Sequence, residues 1–231
     1  MNIAMTEDKN IFIVGTGTDV GKTYIAGLML KTFIHSGINA AYFKAAMSGN
    51  VRDFNNKLIP GDALHVKHVS GSRQPLNEMC PYVYERAYSP HLASKIEGNS
   101  VDFDAVLRKF DELSGKYDRV IMEGSGGILC PIRLDDKKVI WLEDFIKARD
   151  FGCILVADAG LGTINAVGLT VAYMKAHDMR LTGIIFNRFQ PGNILHEDNM
   201  RVCEDLTGLK VIACVKDNDI DIKFSSEVKQ N

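Results

Sequence analysis

A short apolar run, Ile11–Val14, breaks into Gly15-Thr16-Gly17-Thr18-Asp19-Val20-Gly21-Lys22-Thr23, and an amphipathic pattern of Ile25, Leu28, Met29, Thr32 and Phe33 follows. Few arrangements leave a chain so little choice of fold. Strand, glycine-rich loop and helix N-terminus together make a cradle for phosphate oxygens. Glycine lets backbone N–H groups converge, the helix end adds partial positive charge, and Lys22 adds a full one. The hydroxyl of Thr23 is then placed for Mg²⁺. Gly17, Thr18, Asp19, Val20 and Gly21 fall within the cradle. The glycine of the usual pattern, five residues before Gly21, is Thr16 here; the nearest preceding glycine is Gly15, so this loop is one residue longer.

The rest of the chain repeats the alternation that this unit begins. Apolar runs without polar alternation recur at Ile11–Gly15, Ala40–Phe43, Arg119–Met122, Cys153–Ala157, Thr182–Phe186 and Lys210–Val215, as strands buried on both faces of a parallel sheet require. Between them helical spacing appears at Lys22–Ser36, Asp62–Val69, Val101–Leu113, Trp141–Arg149, Thr163–Ala176 and Ile194–Leu206. The expectation is an α/β fold: a doubly wound, mostly parallel sheet flanked by helices, like the P-loop NTPases. At 231 residues with 46% hydrophobic content, one domain spanning 1–231 is expected. Gly71–Pro90, with Pro75, Pro81, Pro90 and three tyrosines, reads as a long surface loop.

Charge and composition exclude several classes of function. A formal net charge of −2 with no basic run gives no footprint for nucleic acid or an anionic membrane. The polar start, Met1 to Asn10, carries no secretory signal pattern, and no apolar run is long enough to span a bilayer. Five scattered cysteines without a Cys-x-x-Cys pair read as reduced thiols of a cytoplasmic protein. His65 and His68 share a helix face but lack further Cys or His partners for zinc.

Several residues stand where ligand chemistry is expected. Lys44 ends an apolar strand, at the edge where α/β sheets bind ligands, and a second cation there would neutralise a transferring phosphoryl group. Glu123 follows Val120-Ile121-Met122 and precedes glycines, which suits a magnesium carboxylate. Asp62 suits either magnesium or a helix N-cap. Gly162-Thr163-Ile164-Asn165 opens a helix whose free N–H groups either hold a carboxylate or are simply capped. Ser48 before Gly49 reads as a turn serine or a substrate contact.

The loop, with its acid at position 19, resembles the Gly-Thr-[Asp/Gly]-Thr-[Glu/Asp]-Val-Gly-Lys-Thr signature of the dethiobiotin synthetases. Further segments match that family in order: Lys44 leading to Ser48-Gly49, Gly61-Asp62-Ala63-Leu64, Ser89-Pro90-His91, Glu123-Gly124-Ser125-Gly126-Gly127, Leu161-Gly162-Thr163-Ile164-Asn165, and Asn187 at a strand end. The resemblance implies ATP- and Mg²⁺-dependent closure of 7,8-diaminononanoate and CO₂ to dethiobiotin. It implies Lys22, Lys44 and Thr18 in catalysis, and Gly17–Thr23, Asp62, Glu123 and Asn187 on the nucleotide, with Thr23, Asp62 and Glu123 on the metal. It also implies Ser48, Gly124 and Gly162–Asn165 on the diamine, the last four acting across a homodimer. Two departures stand out. Ala45 replaces a proline after the lysine, and Ala213-Cys214-Val215-Lys216-Asp217 lacks the Gly-x-[Ile/Val]-Pro that frames the purine, which predicts looser discrimination among bases. Two rivals share the fold. Cobyrinate diamide synthases usually carry a glutaminase domain, for which 231 residues leave no room. Partition or septum-positioning ATPases carry a second loop lysine where Thr18-Asp19 stands here.

Overall fold

The computed structural model describes residues 8–149 and 151–225. Of the expected domain over 1–231, residues 1–7, which hold most of the polar start, Asp150 and residues 226–231 lie outside them. From β1 (Asn10–Gly15) the chain passes through the phosphate loop into α1 (Lys22–His35) and returns as β2 (Ala40–Lys44). Short strands β3 (Ala46–Met47), β4 (Val51–Arg52) and β5 (Leu58–Ile59) lead to α2 (Gly61–Ser70), α3 (Leu76–Met79), β6 (Tyr82–Val83), α4 (Pro90–Ile96) and α5 (Phe103–Lys116). Next come β7 (Arg119–Gly127), β8 (Pro131–Leu134), β9 (Val139–Trp141) and α6 (Leu142–Ala148). The final third alternates regularly: β10 (Gly152–Asp158), α7 (Thr163–Ala176), β11 (Leu181–Asn187), α8 (Ile194–Thr207) and β12 (Val211–Cys214).

Six strands form the central sheet in the order β2-β7-β1-β10-β11-β12, and every adjacent pair is parallel. The doubly wound parallel sheet expected from the sequence is therefore the fold. Alternation explains why the strands lack polar positions: Phe12 and Val14 of β1 point to one core, Ile11 and Ile13 to the other. The first core takes Val106 and Phe110 of α5, Phe145 of α6, Val167 and Val171 of α7, and Cys203 of α8. The second takes Ile25, Leu28, Met29 and Phe33 of α1 with Ala63 and Val66 of α2. In the first, Phe12, Phe151, Phe110 and Phe43 meet edge to face in a chain with centroids 4.9 to 5.9 Å apart. Truncating the central Phe110 to Ala costs about 3–5 kcal/mol on the scale of buried aromatic deletions.

Gly71–Pro90 is not the surface loop that its prolines suggest. It contains α3 and β6 and buries Gln74, Met79, Cys80 and Tyr84. Gln74 explains its position: its side-chain Oε1 accepts from Tyr42 N at 2.8 Å and its Nε2 donates to Tyr42 O at 2.9 Å. Strand β2 is the edge of the sheet, so one buried amide satisfies backbone groups that no further strand pairs. Two other expectations shift. β7 runs five residues beyond Met122, with a register break against β1 between Ile13 and Gly15. Helix α5 starts at Phe103, not Val101, because Asp102 caps it by accepting from Ala105 N at 2.7 Å. All five cysteines are free. No helix of the described residues is long and apolar enough to cross a membrane.

Candidate functional site

The chain leaves β1 first for β2 and β7 on one side and then for β10 on the other, which opens a crevice at the carboxyl ends of the strands around β1. A cleft of about 1070 Å³ lies there, lined by the phosphate loop, the ends of β2 and β7, and Tyr88 to Pro90. Lys22, the first residue of α1, is nearly buried and donates through Nζ to Gly17 O at 2.7 Å. It curls back over its own loop, and at Gly15 an added Cβ would stand 2.9 Å from its Nζ. Gly21 is constrained twice: its φ is 93°, and a Cβ there would meet Asn187 Nδ2 at 2.0 Å. No side chain fits this turn.

Register brings the carboxylate and cations together. In the sheet Glu123 of β7 stands opposite Lys44 of β2 and Ile13 of β1. Glu123 Oε1 accepts from Lys44 Nζ at 2.7 Å and from Thr23 Oγ1 at 2.8 Å, while Oε2 accepts from Tyr42 Oη at 2.8 Å. Lys44 Nζ also donates to Asp62 Oδ2 at 2.6 Å. Asp62 thus spends its carboxylate on the lysine; Pro60 holds the cap position of α2. Burial by itself lowers the Lys44 ammonium, but Glu123 and Asp62 outweigh it and raise the group well above the usual lysine range. At Lys22 burial dominates, and Lys44 adds to it, so that ammonium is lowered despite Glu123, Asp19 and Asp62. Tyr42 is raised well above an ordinary phenol by burial and by Glu123.

The metal question turns on this donor set. Thr23, Asp62 and Glu123 offer oxygen ligands, as Mg²⁺ prefers, and magnesium takes one or two carboxylates with phosphate and water. Among the described residues no group of three or more His, Cys, Asp or Glu could hold a metal alone. The residues therefore fit an ion that arrives with a nucleotide and completes its shell with phosphate oxygens.

Not every expected residue faces the cleft. Thr18, Asp19, Gly21, Lys22, Thr23, Lys44, Ser48, Asp62 and Glu123 line it. Ser48 Oγ donates to Tyr88 O, which ties the β3 end to the Ser89-Pro90 wall. Gly124 does not line it: an added Cβ would meet Leu142 Cδ2 at 2.8 Å and Phe12 Cε1 at 3.1 Å, so this glycine is needed for packing. Asn187 is 4% exposed; Nδ2 donates to Val20 O at 3.1 Å, and Oδ1 has no partner among the described residues. Gly162, Ile164 and Asn165 lie on a separate groove of about 720 Å³ between α7 and α8. There Gly162, φ 90°, holds the cap position of α7 without a side-chain cap, and buried Thr163 Oγ1 has no partner among the described residues.

Sequence reasoning missed Tyr42 and Arg188. A tyrosine two residues before Lys44, on the same face of a buried strand, was the available signal for the first. A basic residue directly after the strand-end Asn187 was the signal for the second.

Comparison with known proteins follows the same lines. A family model described as AAA domain matches residues 9–220. The ATP-dependent dethiobiotin synthetase of Brachyspira hyodysenteriae is 44% identical over 209 residues, covering 90% of this chain and 92% of that protein. That of Clostridium novyi is 44% identical over 212 residues, covering 90% and 89%. Among solved structures, the MinC:MinD cell division complex of Aquifex aeolicus aligns with a TM-score of 0.54 at 14% identity, over 91% of this chain and 82% of that one. Chloroplast FtsY of Physcomitrella patens aligns with 0.54 at 16% identity, and this chain spans 63% of its length. At such identities these structures share the fold alone.

Proposed function

The chain belongs to the family of ATP-dependent dethiobiotin synthetases, and from that membership we propose how its own residues carry out the ATP-dependent, C–N bond-forming ligase reaction of biotin biosynthesis. One amine of 7,8-diaminononanoate takes up CO₂ as a carbamate and loses a proton. A carbamate oxygen attacks the γ-phosphorus of ATP and ADP leaves. The second amine then attacks the carbamoyl carbon and gives up a proton, phosphate leaves, and the cyclic urea closes. No covalent bond to the protein forms, so the protein's part is placement and charge stabilisation.

The observation that carries this reading is the pair of buried lysines at one cleft, Lys22 from the phosphate loop and Lys44 from β2, held around Glu123. Lys22 leaves Gly17 O for the β- and γ-phosphates, with Thr18 beside it. Lys44, kept charged by its two carboxylates, faces the transferring group. Mg²⁺, when bound with ATP, would neutralise β,γ-phosphate charge. Thr23, Glu123 and Asp62 are the groups that would hold it. Ser48 is the candidate contact for the diamine at the cleft.

Gly162, Ile164 and Asn165 lie on another groove of the same chain, which supports their serving the diamine carboxylate of a second copy. We assign the active form as a cytoplasmic homodimer in which each α7 N-terminus, without a side-chain cap and with its Thr163 hydroxyl unpartnered among the described residues, completes the neighbour's cleft. Exposed Leu161, Leu169 and Leu206 by that segment and groove support an interface there.

Measuring ADP release with diaminononanoate and bicarbonate, each omitted in turn, tests the reaction. Turnover should require both. An unchanged rate without the diamine, or stimulation by DNA or vesicles instead, would replace this assignment with a switch ATPase.

A further inference from the structure

Two non-glycine residues at the cleft, Asp19 (φ 61°) and Arg188 (φ 55°), occupy the left-handed region, which a residue bearing a Cβ enters only where its surroundings hold it. They are the two ends of one hydrogen bond, Arg188 Nη2 donating to Asp19 O at 2.8 Å. The other arm of the guanidinium, Nη1, donates to Asp158 Oδ2 at 2.6 Å. Asp158 is itself fixed, because its Oδ1 accepts from Gly160 N at 2.8 Å. One residue back, Asn187 Nδ2 donates to Val20 O at 3.1 Å.

Consecutive carbonyls of the phosphate loop, those of Asp19 and Val20, are thus both tied to the end of β11. A trans peptide directs its N–H opposite to its C=O, and no peptide bond of the described residues is cis. The two tethers therefore turn the N–H groups of Val20 and Gly21 away from β11. They also restrain two oxygens of the wrong polarity from swinging toward a phosphate. A loop one residue longer than usual has one more peptide whose orientation must be fixed, and the end of β11 fixes two of them.

We propose that Arg188 is a positioning residue of the nucleotide site: braced by Asp158, it holds the Asp19 carbonyl so that the loop's N–H groups are preorganised for a nucleoside triphosphate. The proposal rests on the phosphate-loop reading above. With Nη1 on Asp158 and Nη2 on the Asp19 carbonyl the guanidinium is anchored to the loop, and it is through the loop that Arg188 acts. Its effect should be blind to the base, because the groups that it orients meet only phosphate.

Calorimetry of Mg·ATP and Mg·GTP binding to the full-length wild type, Arg188→Ala, Arg188→Lys and Asp158→Asn tests this. Arg188→Ala should raise both dissociation constants about tenfold, the scale of a lost charge-assisted hydrogen bond, and KM for ATP should rise more than kcat falls. Arg188→Lys should recover only part, since a lysine does not reproduce the fixed fork with which the guanidinium spans Asp158 and the Asp19 carbonyl. Asp158→Asn, which is isosteric, should weaken both nucleotides by about threefold through the loosened brace. Should Arg188→Ala fail to fold, the lysine and asparagine variants carry the same test. Full recovery by lysine would show that charge alone matters and would overturn the proposal, as would unchanged affinity in the folded alanine variant. Wild type that binds no nucleotide would instead bring down the phosphate-loop reading and the clamp together.

Discussion

The charged cluster at the ends of β2 and β7 and the N-terminus of α7 both concern anions, yet the chain treats them in opposite ways. At the cluster every charge has a partner: Lys44 holds Asp62 and Glu123, Glu123 receives Thr23 and Tyr42, and Lys22 rests on Gly17. At α7 the helix has no side-chain cap, and the Thr163 hydroxyl has no partner among the described residues. The first region is preorganised by mutual neutralisation, so its ligands enter by exchanging partners. The second keeps its polarity unspent, surrounded by exposed leucines. A buried cluster can be finished within one chain because the sheet fixes its register. A helix end on a groove between α7 and α8 needs something from outside.

The largest effect should come from breaking the finished region. Lys44→Ala removes the ammonium bonded to both Asp62 and Glu123, which leaves two carboxylates without that cation beside the phosphate site. Turnover should fall by about 10²-fold or more, the scale of one preorganised electrostatic partner. Steady-state ADP release measures it, and near-normal turnover would reduce Lys44 to a structural ion pair.

The unfinished region is tested by mixing. Gly162→Asp places a carboxylate where the substrate carboxylate is expected, whereas Lys22→Ala disables phosphoryl transfer, and each variant alone should be nearly dead. Refolded together, about half of the dimers should be mixed, each with one site carrying both lesions and one carrying neither, so activity should recover to about a quarter of wild type. Mixed dimers confirmed by subunit tags but without recovery would place the whole site in one chain.

Between these lies Tyr42, which belongs to the finished region but does not line the cleft. Tyr42→Phe keeps the ring in the core and deletes only the bond to Glu123 Oε2. If that bond fixes the carboxylate for the metal, the Mg²⁺ concentration for half-maximal nucleotide binding should rise about tenfold, as for other groups that orient a ligand from behind. Titrating Mn²⁺ by electron spin resonance in the presence of ATP checks the same quantity without turnover. An unchanged metal titration with a lowered melting temperature would make the tyrosine purely structural.

How far the sequence discloses each region follows from the range of the forces involved. The phosphate loop is legible because its glycines, lysine and threonine are adjacent, and the strands because burial on both faces erases polar alternation. Lys44 and Glu123 were readable as strand-end charges, but their meeting depends on β2 pairing with β7, a register that no local pattern encodes. Gln74 was hidden for a similar reason: prolines around it announce a loop, while its work on the backbone of Tyr42 is visible only in three dimensions. Gly124 carries a packing demand that its sequence neighbours do not disclose. Its place in a glycine-rich run suggested ligand approach, whereas Leu142 and Phe12 are what exclude a side chain there.

The smallest expected effect concerns the base. Asn187 gives one N–H of Nδ2 to Val20, and its Oδ1, buried and without a partner among the described residues, is an acceptor left to meet a ligand. That acceptor reads a donor, and the exocyclic amino group of adenine is one. Inosine carries a carbonyl oxygen at that position, which would set two acceptors against each other. The wild type should therefore prefer ATP to ITP in kcat/KM by about tenfold, the worth of one modest hydrogen bond and no more, since the tail from Ala213 to Asp217 lacks the purine-framing pattern. Asn187→Ala should bring the ATP to ITP ratio close to one. It should also weaken both nucleotides together, because the Val20 tether is lost with the amide. The ratio isolates the base contact and the common loss isolates the tether. Arg188→Ala supplies the contrast, lowering both nucleotides while leaving the ratio intact. Equal use of ATP and ITP by the wild type would leave Asn187 with the loop alone, and a preference that survives Asn187→Ala would assign the base to another group.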